Sequence, residues 1–192
     1  MSRLRRDSTR AFWWLILSLL TVVLIASVGF AAPADHLLIS EVVVKTQPPV
    51  ADNGSPFIEI VNPTGSPFPM GDVYLTNGAS APAVYYYNIA LLDPTAADPG
   101  GGSGGAFHAR FPAGFELGAG ASVAIALNGS EEYAAAYGRN PDFELFEDGT
   151  APDGVPEMRE AWQGSINAGL GGGDNVPALG DAAGSLILYH WN

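Results

Sequence analysis

The chain has 192 residues, 8 Lys and Arg against 20 Asp and Glu, a formal net charge of −12 and no cysteine. The missing cysteines exclude disulfide frameworks, thiolate metal sites and cysteine nucleophiles, and the acidic balance argues against direct nucleic-acid binding, because phosphate backbones are repelled. The 24 glycines and 15 prolines suit many turns between short strands and argue against a helical bundle.

The first ten residues, MSRLRRDSTR, hold four arginines, and residues 11–34 are uncharged. A basic start, an apolar run and small residues around Ala31 and Ala34 read as a secretory signal. A retained anchor is the alternative, since about 20 apolar residues can span a bilayer. Either way the arginines stay cytoplasmic and the remainder is exported. Residues 1–34 are thus a leader and 35–192 a single domain. Four basic residues and one acid lie in the leader, so the exported part holds 19 acids against Lys45, Arg110, Arg139 and Arg159, a net −15. Such a surface favours solubility, cations or basic partners.

Leu37–Lys45 alternates with period 2 and is rich in β-branched residues, which predicts a strand with Leu37, Ile39, Glu41 and Val43 on one face. Thr46–Ser55 reads as a loop. Phe57–Asn62 is the second predicted strand, with Phe57, Glu59 and Val61 opposite Ile58 and Ile60, and Asn62-Pro63 ends it. Pro67–Gly71 is a turn, Val73–Thr76 a third strand, and Val84–Leu92, with Tyr85, Tyr86 and Tyr87, a fourth. Asp93–Gly105 contains PGGGSGG and reads as a flexible loop insertion. Phe107–Phe111 and Ser122–Leu127 follow as strands. Glu131–Tyr137 is a helix, with Ser130 as its cap, Glu131 and Glu132 in its first turn and Gly138 at its end. Asn140–Leu179 is a loop region with a short helix around Glu157–Trp162, and Ser185–Trp191 is the last strand. Seven short strands separated by turn signals predict an all-β sandwich or barrel.

Five groups of residues are weighed for chemistry. Glu41 and Glu59 form a carboxylate pair if their strands are neighbours; the competing reading has each accepting hydrogen bonds inside the sandwich, as fold-setting acids. The acidic loops carry Asp148, Asp153, Asp174 and Asp181, oxygens of the kind Ca²⁺ prefers, without EF-hand spacing; solvated loops are the default. His36, His108 and His190 lack the spacing of a metal-ligating pair, and Gly100–Gly105 has no following helix to make a phosphate cradle. Tyr85, Tyr86 and Tyr87 place two rings on one side and one on the other, a platform able to stack a sugar or a protein segment; the competing reading is core filling.

Several segments line up with one known family. They are Ile39-Ser40-Glu41-Val42, then Phe57-Ile58-Glu59-Ile60-Val61-Asn62-Pro63, then Met70-Gly71-Asp72-Val73-Tyr74-Leu75-Thr76-Asn77. Phe111-Pro112-Ala113-Gly114 with Leu117-Gly118-Ala119-Gly120, the helix Tyr133–Gly138, and Leu179-Gly180-Asp181 with Ser185–Leu188 follow in the same order. Together they resemble the lamin-tail domain of exported bacterial proteins, although the third segment lacks the leucine-serine-glycine-tryptophan form usual there. The resemblance implies an immunoglobulin-like β-sandwich with one short inserted helix, structural roles for Glu41 and Glu59, and placement at a cell surface or outside the cell. It also implies one further strand beyond Trp191-Asn192, so the expectation is a domain lacking its last strand. The expected function is a non-catalytic binding or structural module with a protein or carbohydrate partner, no catalytic residue and no cofactor. The alternatives are an accessory domain of a larger secreted hydrolase such as a nuclease, and a Ca²⁺-dependent carbohydrate-binding module.

Overall fold

The computed structural model describes residues 34–44, 55–78, 84–91, 98–102, 105–147, 152–166, 179 and 184–192. Residues 1–33, where the leader is expected, lie outside them; among the described residues no helix is long and apolar enough to cross a membrane. Residues 34–192 form one compact unit.

The chain is all-β. Its ten described strands are β1 (Leu38–Val43), β2 (Phe57–Val61), β3 (Phe68–Pro69), β4 (Val73–Thr76), β5 (His108–Arg110), β6 (Glu116–Leu117), β7 (Ser122–Ala126), β8 (Phe143–Glu144), β9 (Arg159–Glu160) and β10 (Ile187–His190). A first sheet has the order β1-β2-β7-β8, a second has β10-β4-β5-β9, and β3 pairs with β6 as a small ribbon. All pairings are antiparallel except β7 with β8.

Alternation decides which side chains meet. Ile58 and Ile60 of β2 and Val123 and Ile125 of β7 join Val73 and Leu75 of β4 and Phe107, Ala109 and Phe111 around β5 in one buried cluster. Both four-stranded sheets therefore share a single apolar core, with Phe143, Leu145, Met158 and Ile166 closing it. Burying a side chain such as Ile58 or Phe111 contributes about 1.5–3 kcal/mol each. Asn62 ends β2 for a second reason besides the proline that follows. It is fully buried, its amide donates to the carbonyls of Ser66 and Leu117 at 2.9 Å each, and its Oδ1 accepts from the Thr64 hydroxyl at 2.7 Å. It thereby ties the β2 exit to the turn before β7 without leaving its polar atoms unpaired. Arg159 plays a comparable part at the other sheet, donating to the carbonyls of Phe111 (2.8 Å) and Gly71 (3.0 Å).

Several expectations are corrected here. Val84–Leu92 is not a strand: Tyr86–Leu91 is a 3₁₀ helix. Around Glu157–Trp162 there is the short strand β9 and no helix, held by pairing Ala109 with Glu160 and Arg110 with Arg159. The Pro67–Gly71 turn contains β3. A bulge between Ile39 and Glu41 reverses the face of β1: Ile39 pairs with Ile60 toward the core, whereas Glu41 pairs with Glu59 on the outer face. The two glutamates therefore lie outside the core they were expected to enter.

The helix expected at Glu131–Tyr137 is α1, Ser130–Tyr137, and Gly138 ends it in the left-handed conformation at φ 69°. Its start differs from expectation. Gly129 occupies the cap at φ 89°, where a side chain is strained, and Ser130 makes no capping bond of its own. The acceptor comes instead from the neighbouring strand: Glu144 Oε2 takes the Ser130 N–H at 2.8 Å. Tyr133 and Tyr137, four residues apart, share a face and bracket Phe57 at 5.5 and 5.2 Å between ring centroids, roofing the outer side of the first sheet with Ala124 and Ala126.

Candidate functional site

The outer face of the second sheet collects the polar aromatic residues. Register sets Tyr189 opposite Tyr74, and His108 opposite Thr76 on the adjacent pair. The Tyr74 and Tyr189 rings stack at 5.1 Å and 13°, and Trp191 leans on Tyr74 at 6.1 Å. His108 is fully buried between them and the glycine-rich segment. Its Nδ1–H donates to the Pro99 carbonyl at 3.0 Å, which leaves Nε2 to accept from the Tyr189 hydroxyl at 2.6 Å. Burial pushes the imidazole pKa down to about 4, so His108 is neutral near pH 7, and burial likewise holds the Tyr189 hydroxyl well above its ordinary value.

The segment expected to be a flexible glycine loop closes this face and is tightly packed in its described part. Gly100, Gly101 and Gly102 have φ of 82°, 99° and 76°. A Cβ on Gly101 would lie 2.5 Å from the Ser165 carbonyl oxygen and 2.8 Å from the His108 nitrogen, and one on Gly100 would lie 2.4 Å from the Gly78 carbonyl oxygen. Glycine is demanded there twice over, by dihedral angle and by space. Trp162 Nε1 donates to the Gly100 carbonyl at 3.0 Å and fastens the segment from the far side.

The 3₁₀ helix sits on the same assembly. Tyr86 turns inward and tilts onto Tyr189 at 4.9 Å. Tyr85 and Tyr87 turn outward, are 46% and 56% exposed, and stack on each other at 5.1 Å and 8°. Two rings thus lie on one side and one on the other, a division produced by a 3₁₀ turn and not by the strand that was expected. The turn is anchored at both levels. The Tyr85 N–H donates to the Asp98 carbonyl (3.1 Å), the Asn88 side chain donates to that same carbonyl (2.9 Å), and Asp98 Oδ1 accepts from the Gly100 N–H (2.7 Å).

The other candidates are placed as follows. Glu41 is exposed and Glu59 half-buried; Glu59 accepts from the Ser40 hydroxyl at 2.6 Å and the Ser122 hydroxyl at 3.3 Å. The hydroxyl bonding expected of it is present, on the outer face. Of the acids singled out for Ca²⁺, Asp148, Asp174 and Asp181 lie outside the described residues. Asp153 is exposed and accepts from the Ser130 hydroxyl and from the Val155 N–H (2.7 Å); the Ser130 bond holds its carboxyl below the usual range. One oxygen each of Glu144, Glu147 and Asp153 lie within 4.8 Å of one another. That donor set suits a hard cation such as Ca²⁺, yet Glu144 and Asp153 both engage Ser130 and so already serve the start of α1. His36 is exposed beside Asp35 (2.8 Å), and His190 is exposed with its ring 6.1 Å from Phe68. The three histidines do not form one site.

Sequence reasoning missed Glu144 and the His108–Tyr189 pair. Glu144 did carry a signal, a lone acid inside the run Phe143-Glu144-Leu145-Phe146. His108 carried none, because its partners lie at Pro99 and at Tyr189, 81 residues away. Comparison with family models, with curated proteins and with solved structures finds no match to this chain.

Proposed function

We propose that the chain is an exported, non-catalytic binding module built as an immunoglobulin-like sandwich of lamin-tail type. The order of its motifs supports that assignment, as does the role of the FIEIVNP segment, which supplies a central strand and the buried hub Asn62. The polar clusters find folding roles. Glu59 is bonded by serines, Glu144 receives the first amide of α1, and His108 is a neutral bridge between a strand and a loop.

The carrying observation is the exposed, stacked pair Tyr85 and Tyr87, presented on a turn whose third tyrosine is packed inward. Large rings held in water at fixed geometry cost solvation without adding to the core, and recognition explains them. The partner class is a protein segment or a carbohydrate. Immobilised neutral oligosaccharides and short peptides, screened against the protein and against its Tyr85→Ala/Tyr87→Ala variant, test the reading. Binding that disappears in the variant is expected; ligands that bind both forms equally would remove the tyrosines from the site. The carboxylate trio Glu144, Glu147 and Asp153 favours Ca²⁺-dependent carbohydrate binding as a second reading, and repeating the screen with and without Ca²⁺ separates the two.

A further inference from the structure

We infer that the Tyr85–Tyr87 pair docks a guanidinium group of a basic protein segment; the inference rests on the binding-module reading above and narrows its partner. Geometry supplies the first argument. The two rings lie 5.1 Å apart and 8° from parallel on one turn and are 46% and 56% exposed. Tyr87 is braced by the Tyr86 ring at 5.5 Å and 77°, while Tyr85 carries the more open side of the stack; Leu91, on the same turn, is 59% exposed. The turn is already ordered by Tyr86 on Tyr189 and by the three hydrogen bonds that join Tyr85, Asn88, Asp98 and Gly100. A partner therefore finds the pair preorganised and loses little conformational freedom in using it.

Charge supplies the second argument. The face of an aromatic ring is the negative side of its quadrupole and attracts cations. Around it stands a domain with 19 acids and four cations, and the exposed Asp98 adjoins Tyr85 through the backbone. An anionic ligand is repelled by this field, and a neutral pyranose gains only the stacking. A cation gains from ring and field together.

Shape then chooses among cations. Guanidinium is planar, weakly hydrated and stacks flat on aromatic faces, whereas an ammonium is compact and strongly hydrated. Arginine is the side chain that fits a half-exposed tyrosine stack in an acidic surround.

The test is calorimetric titration of the full chain with three probes: a short arginine-bearing peptide, the same peptide with lysine at each arginine position, and a neutral glucose oligosaccharide. The acidic surface alone attracts both peptides equally, so their ratio isolates the rings. Wild type is expected to bind the arginine peptide about two- to fivefold more tightly than the lysine peptide. That preference is expected to vanish in Tyr85→Ala/Tyr87→Ala and to persist in Tyr85→Phe/Tyr87→Phe, which keeps both rings. Equal affinity of wild type for the two peptides would overturn the inference, as would a preference surviving in the alanine variant. A tyrosine-dependent saccharide with no arginine preference would end the guanidinium assignment and leave the binding module standing. If no probe binds in a tyrosine-dependent way, both fall.

Discussion

The outer faces of the two sheets are both roofed by tyrosines, but in different ways. Over the first sheet, a capped two-turn helix sets Tyr133 and Tyr137 on Phe57 and on the small residues Ala124 and Ala126, and Tyr133 is 1% exposed. Over the second, a 3₁₀ turn buries Ile89, commits only Tyr86 of its three tyrosines to the sheet and leaves Tyr85 and Tyr87 about half exposed to water. Three adjacent tyrosines on a tight turn cannot all reach the same surface. Those four apart on an α-helix can. The first roof is a second small core, and the second is a core with a display mounted on it. Its foundation is unusual too: a buried neutral histidine and a run of packed glycines stand where the first sheet has alanines.

Three measurements break or sharpen this contrast. The largest effect belongs to the glycine run. Gly101→Ala forces a side chain into left-handed backbone and within 2.5 Å of the Ser165 carbonyl oxygen. It is expected to cost about 4 kcal/mol or to prevent folding. Gly65→Ala, at a site with nothing within 4 Å of the new Cβ, is expected to change stability by under about 0.5 kcal/mol. Equilibrium urea unfolding of the two variants checks the pair; similar losses would mean that the segment is the loose loop its composition suggests.

The histidine comes next. Its folded pKa, about 4, lies below the ordinary 6.5, so the unfolded chain takes up the proton first as pH falls. The stability it contributes is complete above about pH 6.5 and is lost on acidification toward pH 4, a change of about 3 kcal/mol. Unfolding free energies measured between pH 7 and pH 4.5 are expected to fall in wild type and to stay nearly level in His108→Gln over that window. A parallel decline in the variant would assign the pH dependence to other groups.

What was legible in the sequence depended on how local the cause was. The alternation of β1, β2 and β7, and the glutamates and terminal glycine of α1, placed those elements within a residue or two. The strand predicted over Tyr85–Tyr87 failed because aromatic residues favour strands on average, while here Tyr86 alone has a sheet to meet. The two-residue strands β3, β6, β8 and β9 are too short to show a period and exist through their partners. The face of Glu41 was misread because a single bulge at Ser40 shifts every later residue to the opposite side. The glycine run was misread for a deeper reason. The composition of a free linker and of a close-packed crossing is the same, and only contacts with Gly78, Gly164 and Ser165 distinguish them. Of the site, the tyrosine triplet was visible, but the histidine, the tyrosine at position 189 and the loop beneath it are joined only by the fold.

The central claim is that Tyr85 and Tyr87 are held out for a partner while Tyr86 holds the turn. Comparing the unfolding free energy of Tyr85→Ala/Tyr87→Ala with that of Tyr86→Ala tests it directly. The expected result is a loss of under about 1 kcal/mol for the double variant and about 2 kcal/mol for the single one. A double variant as destabilised as Tyr86→Ala, or more so, would make the exposed pair part of the fold's support and contradict the account.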